Sequence, residues 1–472
     1  MTELIAFLSV SVIILSAALL LAGRKGGVRM FVSADGKLPW VACGLSLFIS
    51  FFSAGTFVAW GAVAYRDGLV AVTIQETMCL AGLAVGLLIA PRWRALNVTT
   101  VAGYLSDRFG VRVQRAYTLL FFFVSFFSAA AFLYPVARIL SFSWGLDARL
   151  GVVLLGLLCM LYVSTGGLWS VVLTDVIQFV ILTAVVLIAA PLSLREAGGL
   201  DAFLAHAPEG FLSPVSEGFP WLFIVAFFLY NLVYLGGGWS FVQRYGAVRK
   251  PGDARKAALL FSALYLVSPV LWMLPALVCR LTSGPAGVEA EDAFLVMCRQ
   301  ILPRGLLGVM VSGLVFASLS SINSILNAMA SVFSKDIVAR LRPGVSDRGL
   351  LRTARISSLF FGLLIIGIAL LIPRMGGLVD YIIALAALTG APLYLPVLWS
   401  LFSRRQTGNT LMVTTFLSLA MLLLLKFAIF PRVCPEGART WEMMAGVGIP
   451  FLLLAIFEVK KRFSPDNQSI TL

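Results

Sequence analysis

The chain has 472 residues, of which 60% are hydrophobic and only 12% are charged, and its mean hydropathy is +0.97. Soluble domains average roughly half apolar and a quarter charged residues, so this composition excludes a soluble globular protein, a disordered chain and a disulfide scaffold. The net charge of +14 would favour nucleic-acid binding in a soluble protein. Here the basic residues lie in short loops between apolar runs, which predicts an all-α polytopic membrane protein instead.

Thirteen apolar runs are predicted to cross the bilayer, which takes about 20 residues per helix. In chain order the runs are residues 4–22, 40–64, 69–91, 116–141, 149–165, 169–192, 220–242, 257–279, 305–334, 354–373, 378–400, 409–429 and 440–459. The first run is interpreted as a retained helix rather than a signal peptide, because its basic residues follow it. An odd number of spans places the two termini on opposite sides of the membrane.

The distribution of Lys and Arg predicts the orientation. With the N-terminus outside, the segments assigned to the cytoplasm hold 25 of these residues, Arg244 among them, and the outer segments hold ten. Cytoplasmic loops carry the excess of positive charge. We therefore expect a multi-pass protein of the plasma membrane (the inner membrane in bacteria), with its N-terminus outside and its C-terminus in the cytoplasm. Cys279, Cys298 and Cys434 lie near the outer loops, and the sequence does not decide whether two of them form a disulfide.

Spans two and seven contain small and polar residues where a simple anchor would be apolar throughout. Span two contains the segment 53–56 (SAGT), and span seven contains Asn231, Tyr234 and the glycines 236–238. A helix broken there would free carbonyls, which the membrane interior tolerates only beside a cavity or an ion. Five-span units starting at these two breaks would run in opposite directions, as in inverted-repeat transporters. For either span alone, close helix packing is the simpler explanation.

Span nine carries a small polar face. Ala317, Ser320, Ser321 and Ser324 lie on one side of the helix by their spacing. Two adjacent hydroxyls and a carbonyl one turn earlier offer neutral oxygens, which a small hard cation prefers. Taken alone, such a pattern arises more often from serine bonding to preceding carbonyls and from small-residue packing.

Two acidic residues lie inside predicted spans. Asp175 shares a face of span six with Gln178, and inserting its carboxylate costs about 2.5–3.5 kcal/mol or more. It is expected either to hold a cation or to pair with a cytoplasmic Arg, and both alternatives stay open. Glu76, beside Gln75 in span three, is expected to line a substrate cavity or to pair with a polar neighbour. Lys426 is expected to extend from span twelve to the outer interface.

Four ordered motifs resemble those of the sodium:solute symporter family. They are SAGTFVAWGAVAYRDG (53–68), GGLWSVVLTDVIQ (166–178), NLVYLGGGWSFVQR (231–244) and FASLSSINSILNAMASVFSKDI (316–337). The resemblance covers nearly the whole chain and implies one transporter domain with 13 transmembrane helices and a LeuT-type five-plus-five inverted repeat. Its parts would be an extra N-terminal helix (1–39), the first repeat (40–192), the second repeat (220–400), and two extra helices with a short cytoplasmic tail (401–472).

The resemblance also implies import of a small organic solute, with Na⁺ as the co-transported ion rather than a catalytic cofactor. Carried over by motif, the main sodium site would consist of the carbonyls of Ile49, Phe52 and Ala317 and the hydroxyls of Ser320 and Ser321. Some family members hold a second sodium ion. Here its ligands would be Asp175, Ser320, Asn323 and Ser324, with an asparagine where a serine is usual.

The residues implied for the substrate cavity are Phe51, Thr56, Gln75, Asn231 and Tyr234. Asn231 and Tyr234 match positions that contact and enclose the substrate in sugar-carrying relatives. The other three match neither the sugar-type nor the proline-type pattern. The resemblance therefore implies a neutral or weakly polar organic solute, with the choice among sugar, amino acid, sialic acid and carboxylate open. Membrane lipid is the other expected partner, and no nucleic acid is expected.

Sodium is expected to bind first from outside and to hold spans two and nine together, so that sodium and solute strengthen each other's binding. The closest alternative is a proton-coupled carrier of the same fold that titrates Asp175 or Glu76. An integral-membrane enzyme is a more distant alternative, because the sequence has a single His, His206, and no paired carboxylates or metal motif. A sensor would need a long cytoplasmic domain, whereas the predicted tail after residue 459 has thirteen residues.

Overall fold

The structure, a computed structural model, describes residues 1–22, 33–98, 100–285, 287–375, 378–433 and 437–462. Within these ranges the backbone forms helices and loops, with two isolated β-bridges and no strand. A helix satisfies its backbone hydrogen bonds within its own segment, which is why an apolar chain folds this way in a bilayer. The predicted all-α fold class is therefore confirmed.

The helices of the first half include the two parts of the interrupted second span. They are α1 (Thr2–Ala22), α2 (Trp40–Ile49), α3 (Gly61–Asp67), α4 (Val70–Ala95), α5 (Val101–Phe109), α6 (Val111–Trp144) and α7 (Ala148–Glu196). The helices α6 and α7 are joined by a turn of three residues, so the connections here are short.

The helices of the second half include a bent pair. They are α8 (Leu200–His206), α9 (Trp221–Gly237), α10 (Trp239–Ala247), α11 (Pro251–Ser283), α12 (Ala293–Ile301), α13 (Leu306–Leu341), α14 (Asp347–Arg374), α15 (Leu378–Ser400), α16 (Gly408–Val433) and α17 (Ala438–Arg462).

Nine helices of the described ranges are long and apolar enough to cross a membrane, and the bent pair of α9 and α10 would make a tenth. Three shorter apolar helices, Thr2–Ala17, Trp40–Ile49 and Ala148–Met160, coincide with predicted spans one, two and five. Each predicted run thus overlaps a helix, whereas the count of thirteen spans stays a prediction.

The helix α7 continues through the place where the sequence predicts a loop between spans five and six. A straight helix would separate Cys159 and Asp175 by about 24 Å along its axis. Yet the Sγ of Cys159 lies 3.9 Å from the carbonyl oxygen of Leu319, and Asp175 accepts a hydrogen bond from Ser320, the next residue of α13. Cys159 and Asp175 thus both contact one short stretch of α13, which is consistent with spans five and six being separate.

Both predicted helix breaks are present at matching places in the two halves. The helix α2 ends at Ile49, and turns followed by a π-helical stretch, Thr56–Trp60, lead to α3. The helices α9 and α10 meet at Gly238 with a bend of 51°. A β-carbon on Gly238 would lie 2.7 Å from the carbonyl oxygen of Tyr234, so this close approach of the backbone favours glycine.

The helix α13 lies at the centre of the fold. Almost every residue from Leu307 to Val332 is buried, and the helix packs against α1, α6, α7 and α14. A cavity of about 140 Å³ lies beside the break in span two, with walls from α4, α6, α9 and α15. The polar residues of span nine are thus buried within protein rather than exposed to lipid.

Three polar groups predicted near the outer surface are partly or wholly buried. The Nζ of Lys426 lies 2.6 Å from the carboxylate of Glu442 on α17, so this lysine pairs with a neighbouring helix instead of only extending outward. Cys279 and Cys298 are buried and free. Cys434 lies outside the described residues, as do the basic residues 24, 25 and 29 and the chain after 462.

We expect Gly308→Ala to destabilise the protein, because a β-carbon there would lie 2.0 Å from the backbone carbonyl oxygen of Glu3. The carboxylate of Glu3 also accepts hydrogen bonds from the N–H groups of Gly305 and Gly308, at 2.8 and 2.6 Å. Losing this cap on α13 would cost about 1 kcal/mol or more. The measurement is the apparent Tm of the purified protein, which should fall.

Gly367→Ala, on α14, is the matched control, because no heavy atom lies within 4 Å of its β-carbon position. Alanine is also the better helix former by about 1 kcal/mol, so the Tm of this variant should stay level or rise. Equal changes in Tm for the two variants would contradict the contact between α1 and α13.

Candidate functional site

The break in span two presents backbone carbonyls to the protein interior. The hydroxyl of Thr56 donates a hydrogen bond to the carbonyl of Phe51. Among the hydrogen bonds of the described residues, none ends on the carbonyl oxygens of Ile49 or Phe52. An unpaired carbonyl in a low-dielectric interior is costly unless a cation or water meets it. These two oxygens are therefore available as ligands.

Serine side chains of α13 contact the break directly. The Oγ of Ser318 accepts a hydrogen bond from the backbone N–H of Ala54 at 2.7 Å. The Oγ of Ser321 donates to the carbonyl oxygens of Ser50 and Ala317, at 2.9 and 3.2 Å. Of the groups predicted for the main sodium site, Ser321 and the carbonyl of Ala317 thus lie at the break, whereas the hydroxyl of Ser320 donates to Asp175. Their role as sodium ligands stays a prediction.

Asp175 and Arg244 form a fully buried ion pair, with 3.6 Å between the Nη2 of Arg244 and the carboxylate. Ser46 and Ser320 each donate a hydrogen bond to one carboxylate oxygen of Asp175. The guanidinium donates to the hydroxyls of Ser46 and Ser324, at 2.8 and 2.6 Å. Of the two expectations for Asp175, this geometry favours pairing with an Arg. The side chain of Arg244, just after predicted span seven, is therefore buried among the helices rather than exposed in a loop.

The four groups predicted for a second sodium ion do not gather around a common free position. The amide oxygen of Asn323 accepts a hydrogen bond from the thiol of Cys159 at 2.8 Å. The amide nitrogen of Asn323 is buried and has no partner among the described residues. The guanidinium of Arg244 lies against Ser324, between that hydroxyl and Asp175. A second sodium ion is therefore not favoured by this arrangement.

The residues predicted for the substrate cavity all line the cavity of about 140 Å³, and they come from three separate segments: Phe51, Thr56, Gln75, Asn231 and Tyr234. A row of aromatic rings forms one wall, with neighbouring ring centroids 5.5 to 5.8 Å apart: Trp60, Phe227, Tyr230, Tyr234 and Tyr394. Such a wall offers flat apolar faces together with polar hydroxyls.

The polar groups of the cavity are amides and hydroxyls. The amide nitrogen of Asn231 donates to the hydroxyl of Thr77 at 2.8 Å, which fixes the orientation of this side chain. Gln75 enters the cavity from α4, and Ser128 and Thr389 enter from α6 and α15. The lining residues that the structure describes include no acidic and no basic side chain. The cavity can therefore form hydrogen bonds but offers a solute no counter-charge.

Glu76 does not line the cavity, so the first expectation for it is wrong. It shares one face of α4, by helical periodicity, with Leu80, Leu83 and Leu87, which are 55%, 44% and 48% exposed. The described residues also include no ion pair to Glu76. This carboxyl group thus lies on the outer face of the bundle, away from both the solute cavity and the junction of span two with α13.

Sequence reasoning missed the role of four polar residues that join the helices here. Ser46 and Ser50 stand one turn apart where α2 ends, and their spacing beside a predicted break was the available signal. Ser318 was omitted because it lies off the face that carries Ser320 and Ser321. The available signal for Arg244 was the need of a buried carboxylate for a partner, together with a basic residue at the end of the span-seven motif.

The sequence is similar to known transporters along most of its length. The profile of the sodium:solute symporter family matches residues 31–417. Sodium/glucose cotransporter 1 of Mus musculus is 24% identical over 490 residues, an alignment that covers 92% of this chain and 73% of the relative. The sodium/sialic acid symporter NanT of Aliivibrio fischeri is 26% identical over 434 residues, with 88% and 86% covered.

Solved structures share the fold. A Na⁺-coupled sialic acid symporter in a substrate-bound, outward-open state superposes with a TM-score of 0.85 at 19% identity, covering 98% of both chains. MhsT in complex with L-phenylalanine gives a TM-score of 0.53 at 14% identity, covering 90% of this chain and all of the other. The architecture is therefore that of the LeuT-type transporters.

We expect Ser321→Ala to weaken sodium binding, because it removes a hydroxyl at the junction of α13 with the break. Loss of one charge-assisted contact costs about 1.5–3 kcal/mol, so half-maximal thermal stabilisation by NaCl should need roughly ten- to a hundredfold more sodium. The measurement is the apparent Tm as a function of NaCl, with choline chloride keeping the ionic strength constant.

Ser312→Ala is the matched control for this experiment. Ser312 is buried on the same helix, and its hydroxyl lies 3.2 Å from that of Ser11, away from the break. Its sodium dependence should match that of the unmodified protein. An unchanged sodium dependence in Ser321→Ala would remove this hydroxyl from the ligand set.

Proposed function

This chain belongs to the sodium:solute symporter family and couples the transport of a small solute to sodium, and we propose that it imports an uncharged organic solute by alternating access. The observation that carries the proposal is the contact of Ser321 with Ser50 at 2.9 Å, beside the solute cavity. It places Ser321, a candidate ligand of span nine, against the break in span two that contains the candidate ligands Ile49 and Phe52. The solute itself undergoes no covalent change in this proposal.

Sodium acts here by joining two elements. In this proposal the carbonyls of Ile49 and Phe52 and the hydroxyl of Ser321 on α13 bind the cation together, which stabilises the junction of the break with α13. Phe51 lies between Ile49 and Phe52 in the sequence, and Thr56 follows four residues after Phe52. Both Phe51 and Thr56 form part of the cavity wall. Sodium binding therefore completes the solute site, and by linkage the solute strengthens sodium binding to the same extent.

The cavity supports a neutral solute. A charged group buried without a partner is strongly unfavourable, and the side-chain polar groups of the described lining are uncharged amides, hydroxyls and an indole N–H. A volume of about 140 Å³ is close to that of an engineered cavity that accepts benzene, so a single six-membered ring fits. Among the four solute classes left open, a small sugar or another neutral ring is therefore favoured over sialic acid, amino acids and carboxylates.

The geometry does not favour proton coupling. Asp175 is paired with Arg244, and Glu76 lies on the outer face of α4. Neither carboxyl group contacts the solute cavity, so protonation of either would not change the walls of the solute site directly. The carbonyl and hydroxyl oxygens beside the break suit a metal cation better than a proton.

The basic residues support the proposed orientation in the plasma membrane, with the N-terminus outside. Without Arg244, the cytoplasmic segments still hold 24 Lys and Arg residues against ten outside. The matching breaks at Ile49 and Gly238 support two inverted repeats, for which we keep residues 40–192 and 220–400. The segments 1–39 and 401–472 then contribute the extra helices.

We expect uptake of a neutral cyclic solute into proteoliposomes to require an inward sodium gradient. Uptake should fall at least tenfold when choline replaces sodium at constant pH. A thermal-shift screen of sugars, amino acids, sialic acids and carboxylates, each with and without sodium, selects the solute to be labelled. Equal uptake in choline would contradict sodium coupling, and uptake driven by a pH gradient alone would favour the proton-coupled alternative.

We expect Gln75→Leu to raise the KM for solute, because it removes the one amide that α4 places in the cavity. Losing a hydrogen bond to an uncharged solute costs about 0.5–1.5 kcal/mol, which corresponds to a rise of roughly two- to tenfold. The control is Thr414→Val on α16, whose buried hydroxyl has no partner among the described residues. Equal KM values for the two variants would argue against this cavity as the solute site.

A further inference from the structure

A second, smaller cavity adjoins the solute cavity. Its volume is about 10 Å³, close to the room that one water molecule needs, and it shares Ser128, Tyr234 and Tyr394 with the wall of the solute cavity. Its other walls include residues of three helices: Phe121 and Ser125 on α6, Trp239 and Ser240 on α10, and Ile325 and Ala328 on α13.

All three helices place the small cavity on the cytoplasmic side of the solute cavity, in the proposed orientation. The helix α6 begins at the cytoplasmic end of the bundle, and α10 and α13 end there. Gln114, near the start of α6, accepts a hydrogen bond from Arg340, near the end of α13, at 2.9 Å. The small cavity therefore lies in the direction in which an imported solute must leave.

One face of α6 is polar between the solute cavity and this cytoplasmic end. Gln114, Thr118, Ser125 and Ser128 recur at spacings of four, seven and three residues, which places them on one side of the helix. The first three of these side chains are buried. Phe121 is the apolar member of the same face, and it lies in the middle of the row.

Phe121 interrupts this polar face by stacking on Trp239. The two ring centroids are 4.0 Å apart, with 12° between the ring planes, and both side chains are buried. On the cytoplasmic side of the rings, polar groups continue along α10, where Gln243 donates to Asn327 of α13 at 3.1 Å. The ring pair is thus an apolar layer between two polar layers.

Two buried polar groups at the ring pair have no hydrogen-bond partner within the part of the chain that the structure describes. They are the hydroxyl of Thr118, one turn before Phe121, and the indole N–H of Trp239. A buried polar group without a partner is costly, so each such group needs an explanation. If the rings separate, water or a solute hydroxyl can meet both groups, and this stabilises the open state relative to the closed one.

We propose that the polar face of α6 is the cytoplasmic exit path of the solute, and that the stacked rings of Phe121 and Trp239 are the barrier on this path. The inference rests on the proposed function, because it assumes that the solute occupies the neighbouring cavity and is imported. It also narrows the solute class. The path offers hydroxyls, amides and an indole N–H, which suit a neutral solute that carries hydroxyl groups.

The experiment measures access to the path with substituted cysteines in the full-length chain. Thr118→Cys and Ser125→Cys place thiols on the two sides of the ring pair. Ala130→Cys is the matched control, because Ala130 is buried on the opposite side of α6 by helical periodicity. Membrane vesicles that expose the cytoplasmic face are treated with the impermeant thiol reagent MTSET, and the modified cysteine is quantified by mass spectrometry after purification.

Both variants on the polar face should react with the reagent, whereas Ala130→Cys should stay at the background of the unmodified chain. This result is expected because only the polar face becomes hydrated when the path opens. Reaction of Thr118→Cys and Ser125→Cys no faster than that of Ala130→Cys would overturn the proposal.

Phe121→Leu tests the barrier, because it removes the stacked ring and keeps an apolar side chain. Labelling of Ser125→Cys, on the solute side of the rings, should rise about two- to tenfold, and labelling of Thr118→Cys should change less. Phe122→Leu is the matched control, because this neighbouring ring packs on Phe361 at 5.2 Å. Equal effects of the two changes would refute the barrier. If Phe121→Leu does not fold, the single cysteine variants decide alone.

The same measurements separate this inference from the proposed function. Uptake that continues when choline replaces sodium would contradict sodium coupling, while the labelling still reports on the path. Conversely, sodium-driven uptake by a chain whose polar face stays unlabelled would overturn the exit path alone.

Discussion

Two opposite charges buried at the centre of the molecule constrain how its helices are arranged. Asp175 and Arg244 lie 3.6 Å apart with no exposure to solvent, and removing one partner of such a pair costs about 3–5 kcal/mol. Each charge is also bonded to hydroxyls of other helices, Ser46 on α2 and Ser320 and Ser324 on α13. The pair is satisfied only when these four helices hold one mutual position.

The same constraint sets the orientation of α13 at the helix break. Successive residues of a helix point about 100° apart, so the rotation that directs Ser320 to Asp175 directs Ser321 elsewhere. That direction is towards the carbonyl of Ser50, which accepts its hydrogen bond. The ion pair and the candidate sodium junction are thus two consequences of one helix rotation. A change that displaces Asp175 should therefore be felt at the break, although no side chain of the cluster enters the solute cavity.

The sequence predicts the breaks and the cavity residues well, because both depend on local composition. Glycine and small polar residues within a span indicate a break in the helix, and this signal does not depend on how the rest of the chain folds. Of the five cavity residues, Asn231 and Tyr234 match positions of the family motif, and the fold brings all five to one cavity. The burial of Arg244 could not be predicted in this way. By hydropathy this residue follows the end of a span, and its side chain is buried because α10 bends by 51° from α9 and packs among the other helices.

The charges of the site also set how strongly the solute can be concentrated. The described cavity lining carries no charged side chain and the buried pair is neutral, so in the proposed cycle sodium brings the charge that crosses the membrane. One charge is worth about 2.3 kcal/mol per 100 mV, and a tenfold sodium gradient adds about 1.4 kcal/mol. Their sum, about 3.7 kcal/mol, supports roughly 500-fold accumulation of an uncharged solute. A second ion bound in the same cycle would double this driving force, whereas the buried pair of Asp175 and Arg244 is neutral and adds no net charge to it.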